Sequence, residues 1–209
     1  MSIALIGGAG EGLGAALGRR FSQSHYVVLS SRTQGERADL REEAQVIDLF
    51  ERVETRGPVD VAIFNAGANF RASILDTPAE MFEKVWRLGC YAGFLFGREA
   101  AKRMVARGKG TILFTGATAS VRGSAQFAAF AAAKGGLRQV AQSMARELGP
   151  KNIHVAHVVI DGRIDRLKDV ASDGMLATDA IAELFWQLHV QPRSAWTFEA
   201  DLRPWAEKF

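Results

Sequence analysis

The chain has 209 residues and a single cysteine, Cys90. One thiol forms no intrachain disulfide and builds no cysteine cage for a metal, so neither can hold this fold together. No apolar run approaches the roughly 20 residues of a membrane span. The opening run Met1–Ile6 is too short for a secretory signal, so the expectation is a cytoplasmic protein with no membrane partner. Runs of Lys and Arg are missing too. The net charge of +3 therefore reads as a solvated surface, not a nucleic-acid footprint. There is no internal repeat and no low-complexity linker. With 48% hydrophobic and 23% charged residues, the length suits one globular domain over 1–209 with a substantial core.

What is present is an alternation of short apolar runs with amphipathic ones, the βαβ signature of a parallel sheet covered on both faces. Strands are expected at Ile3–Ile6, Tyr26–Ser30, Val59–Phe64, Thr111–Thr115, Ile153–Ile160 and Trp196–Glu199. Helices are expected over Gly12–Ser22, Arg41–Thr55, Pro78–Ala106, Ala125–Leu148 and Asp179–Leu188, with Gly57-Pro58, Gly108-Lys109-Gly110 and Gly149-Pro150 as breakers. The fold class is α/β, a doubly wound, Rossmann-type parallel sheet. Its C-terminal part, from about 166 to 209, is expected to complete the substrate side and a subunit interface.

Two connections look too short. Six residues separate Arg32, ending the second strand, from Asp39, where a third should end. A parallel crossover normally takes a dozen or more. After Ile164-Asp165 the chain passes at once into Arg166-Leu167-Lys168, leaving little room for a substrate-covering loop. Residues missing from the sequence, rather than true deletions, are the favoured explanation, with breaks near 33–37 and just after Asp165.

The first strand runs into Gly7-Gly8-Ala9-Gly10-Glu11-Gly12-Leu13-Gly14, in which Gly8, Gly12 and Gly14 fit Gly-x-x-x-Gly-x-Gly. A bare tight turn could use the same glycines. Between a strand and a helix, however, they let backbone N–H groups approach a pyrophosphate at the helix N-terminus. Asn65-Ala66-Gly67 follows a later strand, and Lys134 stands on a long helix. In order and spacing these motifs resemble the short-chain dehydrogenase/reductase family over roughly residues 2–165. The resemblance implies that Gly8, Gly12, Leu13, Gly14, Asn65, Ala66, Gly67 and Lys134 hold a dinucleotide. It also places Asp39-Leu40 beside the adenine, and Gly162 and Ile164 near the nicotinamide. Ser31 stands where relatives that prefer NAD carry an acid, and Arg32 follows it. An arginine there accepts a 2′-phosphate bidentately, which favours NADP(H) over NAD(H); a solvated surface arginine is the plainer alternative.

The family's reaction needs a Tyr-x-x-x-Lys, two groups on one helix face. Here the segment runs from Phe130 to Lys134, so the lysine is present and the hydroxyl is not. Thirteen residues before Phe130, at the position of the family's serine, stands Ala117. At the position of its relay asparagine stands Cys90, in Cys90-Tyr91-Ala92-Gly93. The enoyl reductase branch would put tyrosine seven residues before the lysine, which is Phe127. Losing a positioned acid costs about 10²- to 10⁴-fold. Thr115, Thr118, Ser120, Cys90 and Tyr91 are nearby in sequence, but caps and core positions account for such residues at least as well. Asp161 and Arg163 add charges near the nicotinamide end that the family pattern does not explain. His154 and His157 lie in the same strand without partners at metal-ligand spacing, and no metal is expected.

Three readings follow: an oxidoreductase transferring hydride to or from a small carbonyl or alcohol, a non-catalytic NADP(H)-binding sensor, or a structural partner subunit. The substrate is not named by the sequence. Small residues on the two long helices (Ala100, Ala101, Ala128, Ala129, Ala131, Ala132) permit close helix approach, and Trp186, Trp196 and Trp205 suit a second face. The resemblance implies a homodimer or homotetramer.

Overall fold

The run Ile3-Ala4-Leu5-Ile6-Gly7 is buried at every position. A strand apolar on both sides belongs inside a parallel sheet covered on both faces, and the computed structural model places it there. The structure describes residues 2–165 and 173–207. Its main sheet has seven strands: β1 (Ile3–Gly7), β2 (Tyr26–Ser31), β3 (Glu36–Arg37), β4 (Val59–Phe64), β5 (Gly110–Thr115), β6 (Ile153–Ile160) and, last in the chain, β9 (Glu199–Leu202). The spatial order is β3-β2-β1-β4-β5-β6-β9, and every pairing is parallel. Two short strands, β7 (Ile164–Asp165) and β8 (Leu176–Ala177), pair apart from it.

Period-two alternation sorts the side chains into two cores. Ile3, Leu5, Ala62 and Phe64 face one side, against α2 (Glu43–Glu54), α4 (Ala92–Arg107) and α5 (Ala128–Leu148). Ala4, Ile6, Val61 and Ile63 face the other, against α1 (Leu13–Phe21) and α6 (Thr178–His189). The strand order reverses between β1 and β4. In a doubly wound sheet a crevice opens at such a point, beyond the strand C-termini.

Several expectations are corrected. The chain runs through 33–37 without a break, and the deletion is real. No crossover helix is needed because β3 has two residues and starts only one register step back, Ser30 opposite Glu36. Gly35, at φ +66°, makes the tight return; a Cβ there would fall 2.1 Å from the Leu29 carbonyl oxygen. The Ser31 hydroxyl accepts the Gln34 N–H at 2.8 Å, and Arg52 and Arg56 both bind Glu36. The break expected after Asp165 lies outside the described residues.

The helix expected over Pro78–Ala106 is α3 (Ala79–Trp86) and α4, joined through a π-helical turn at Arg87–Tyr91. The helix expected from Ala125 starts at Ala128, because Gln126 is left-handed at φ +69°. The final strand lies three residues beyond Trp196. Residues Arg193–Ala195 form a 3₁₀ turn, and the Trp196 ring stacks on His154 at 4.9 Å instead of entering the sheet. Trp186 packs on Phe21 and under Arg20, so two of the three tryptophans serve intramolecular packing. Trp205 is exposed. Among the described residues no helix is long and apolar enough to cross a membrane.

Candidate active site

At the switch point lies a cleft of about 1040 Å³. Its floor is the turn from β1 into α1, whose Gly8 holds φ +81°. A Cβ at Gly8 would fall 2.5 Å from the Ala66 nitrogen, so only glycine lets the β1 and β4 loops meet this closely. Asn65 fastens them: its N–H accepted by Gly7, its side chain donating to the Gly8 carbonyl at 3.3 Å, and its Oδ1 accepting the Thr115 hydroxyl at 3.1 Å. Gly8, Gly12, Leu13, Gly14, Asn65, Gly67 and Ile164 all line the cleft, as do Ala117, Phe130 and Lys134.

Lys134 reaches the cleft from α5 with its side chain buried. Its ammonium donates to the Thr115 carbonyl at 2.7 Å. Burial pulls its pKa down to about 8. One helical turn earlier, Phe130 presents a half-buried phenyl ring to the same space, and Ala117 a methyl group.

Ser31, Arg32, Asp39, Leu40 and Ala66 are not part of the cleft lining. Ser31 serves the β2–β3 turn. Arg32 is exposed at the tip of β2, and its charge helps lower the Asp39 pKa, chiefly held down by the bidentate Arg41 guanidinium. Leu40 is buried in the core, and Ala66 lies behind Gly8.

The family model for short chain dehydrogenase matches residues 2–162. The chain belongs to the short-chain dehydrogenase family. The crystal structure of a short-chain dehydrogenase from Rhodopseudomonas palustris is 42% identical, with a TM-score of 0.86 and 98% of each chain covered. The 3-oxoacyl-[acyl-carrier-protein] reductase MabA of Mycobacterium tuberculosis is 31% identical over 170 residues, 77% of this chain and 68% of that protein. A metagenomic short-chain oxidoreductase solved in complex with NADP shares the fold at 23% identity, TM-score 0.85, with 97% and 96% covered.

Within this short-chain dehydrogenase several polar side chains near Ala117 and Phe130 make contacts of their own. Cys90 lies in the π-helical turn, buried, and burial pushes its thiol pKa up. It faces α5, since a Cβ at Gly136 would fall 2.7 Å from its sulfur. Tyr91 stacks on Trp86 with ring centres 6.1 Å apart. Ser120 accepts the Ala117 N–H at 3.1 Å, capping a 3₁₀ turn. Thr118, in the cleft wall, donates to the buried Asp161 carboxylate, which Arg203 also approaches at 3.3 Å. That network places the charge of Asp161, and Arg163 stands exposed on the cleft rim.

Sequence reasoning missed the Thr118–Asp161 link, because 43 residues separate the pair and only their proximity connects them. It also missed the position of His157 directly under Gly116. This histidine is fully buried beside Glu199 at 3.1 Å, and burial pushes its pKa down to about 4, so it is neutral at pH 7.

Proposed function

We propose that this protein binds NADP(H) in the switch-point cleft, in preference to NAD(H), and works as an oxidoreductase on a small carbonyl or alcohol substrate. The observation that carries the reading is the convergence of the glycine loop, Asn65 and Lys134 on one cleft large enough for a dinucleotide. The residues fit the group. The Gly8–Ala66 approach keeps the loop floor free of side chains, and the N-terminus of α1 offers N–H groups to a pyrophosphate. Arg32 stands free in solvent to take a 2′-phosphate, and Lys134 offers ammonium donors to a ribose. When bound, the nicotinamide supplies or accepts the hydride.

What the chain does for the proton is modest. Phe130 and Ala117 exclude water and orient a substrate, but neither donates. The Thr118 hydroxyl lies in the wall and is committed to Asp161. Turnover on ordinary ketones is therefore slow. This same apolar wall favours a second reading, a non-catalytic NADP(H)-binding module. Assembly as a homodimer or homotetramer is part of the proposal; the exposed rings of Phe82, Trp86 and Phe94 on the α3–α4 face support it.

Calorimetric titration with NADPH and NADH tests the reading. Saturable binding with NADPH the tighter ligand is expected. Arg32→Asp should then weaken NADPH by about one to two decades, the worth of a charge-assisted bond of roughly 1.5–3 kcal/mol, and NADH far less. No binding of either cofactor would sink the proposal; equal losses would remove Arg32 from it. Turnover with bound NADPH then separates the oxidoreductase from the silent module.

A further inference from the structure

The opposite end of the sheet carries a second constellation. His25 closes the turn between α1 and β2, Asp60 stands near the start of β4, and His189 ends α6. Each offers a ligand atom within 4.8 Å of the others. We infer that His25, Asp60 and His189 form a binding site for a zinc ion, with three protein ligands and a fourth position facing solvent.

The donor set is two imidazole nitrogens and one carboxylate oxygen, which suits Zn²⁺ when one position is left open. The His25 ring is buried, yet its Nδ1 has no hydrogen-bond partner and its Nε2 comes no closer to Asp60 Oδ2 than 3.7 Å. That separation is outside hydrogen-bonding range. Nε2 is therefore the nitrogen placed to meet an ion shared with Asp60.

His189 is already oriented. Its Nδ1 bonds the Thr111 hydroxyl at 3.0 Å, which leaves Nε2 for a metal, the outer-shell arrangement that metal-binding histidines favour. The two rings lie 5.0 Å apart and edge-on, flanked by Phe21 and Trp186. Beside Asp60 and His189 a cavity of about 220 Å³ opens, bordered by Thr111, His154 and Gln191, with room for a water on the fourth position. Zinc ligands at about 2.0–2.2 Å require donor atoms about 3.3–3.6 Å apart. Small rotations of Asp60 and His189, both only partly buried, would close the remaining gap. One group opposes the ion: Lys109 Nζ lies 3.8 Å from Asp60 Oδ1.

Calorimetry with Zn²⁺ alone, on the full chain freed of metal by a chelator, decides the matter. One ion per chain should bind, and Co²⁺ substituted for it should give the visible absorption of a four-coordinate site. Asp60→Asn and His189→Gln should each weaken Zn²⁺ by at least about tenfold, the lower bound even for outer-shell losses. Lys109→Ala should tighten it by about fivefold, the effect of removing one unit charge at about 4 Å in a solvent-like dielectric. Circular dichroism identifies any variant that fails to fold, and Lys109→Ala, at an exposed side chain, keeps the test valid in that case. No stoichiometric uptake by the unmodified chain would overturn the site. So would affinity unmoved by all three substitutions, which would mark adventitious surface binding.

Discussion

At the C-terminal ends of β1, β4 and β5 the sheet opens into a wide cleft, into which Phe130 presents a phenyl ring and Ala117 a methyl group. At the N-terminal ends, three of the four histidines, His25, His154 and His189, gather around Asp60. The first place has the volume for a large ligand and one buried cation. The second has little volume and a rich donor set. On the function proposed above, cofactor binding and proton donation depend on different atoms. The glycine loop and Asn65 act through the backbone and through strand placement, which Phe130 and Ala117 leave intact.

The sharpest way to break this contrast is at the cleft floor. Gly8→Ala puts a Cβ 2.5 Å from the Ala66 nitrogen at φ +81°. Strain and clash together should cost about 2–4 kcal/mol. Thermal denaturation should record the loss and calorimetry the disappearance of NADPH binding; an unchanged midpoint would show that the two loops can separate freely.

Phe130→Tyr with Ala117→Ser would supply two donors beside Lys134, at the positions that the family resemblance gives to its tyrosine and serine. Carbonyl reductase activity should rise by at least about tenfold, a modest part of what general acid catalysis supplies. Steady-state rates with NADPH measure it. Robust turnover by the unmodified protein, abolished at Thr118 or Ser120, would instead establish a substitute relay.

The smallest effect concerns Lys134. Its pKa in the folded chain is about 8, below the ordinary lysine value of 10.5, because burial disfavours the charge. The unfolded chain thus binds the proton more readily, so stability rises with pH between about 8 and 10.5, and at pH 7 the ionised lysine carries the full penalty. Lys134→Met should stabilise the cofactor-free protein by about 1–2 kcal/mol at pH 7, allowing for the lost bond to Thr115. The gain should fade above pH 10, while NADPH binding weakens. Denaturant unfolding at pH 7 and 10 checks the sign.

Much of this was legible from residue order. Five central strands were readable because their apolar runs are long and uninterrupted, and the glycine loop because its spacing is local. β3, β7 and β8 have two residues each, too few for any periodicity to register. Trp196 and its neighbours read as a strand because an aromatic residue seeking a ring partner has the same composition as one entering a sheet. The π-helical turn leaves no mark in a pattern of apolar spacing, so Cys90 could be placed on the helix but not aimed. Positions 25, 60 and 189 form no motif at all; only the closing of α6 over the start of β4 brings them together.

The two-residue β3 has a further consequence. The terminal strand of an open sheet offers its unused N–H and C=O groups to any passing chain, and long flat edges invite aggregation. Here that edge is two residues long and made of Glu36 and Arg37, with Glu36 clamped by two arginines of α2 and its flank. So short and charged an edge gives the sheet a margin that a neighbouring copy cannot easily extend.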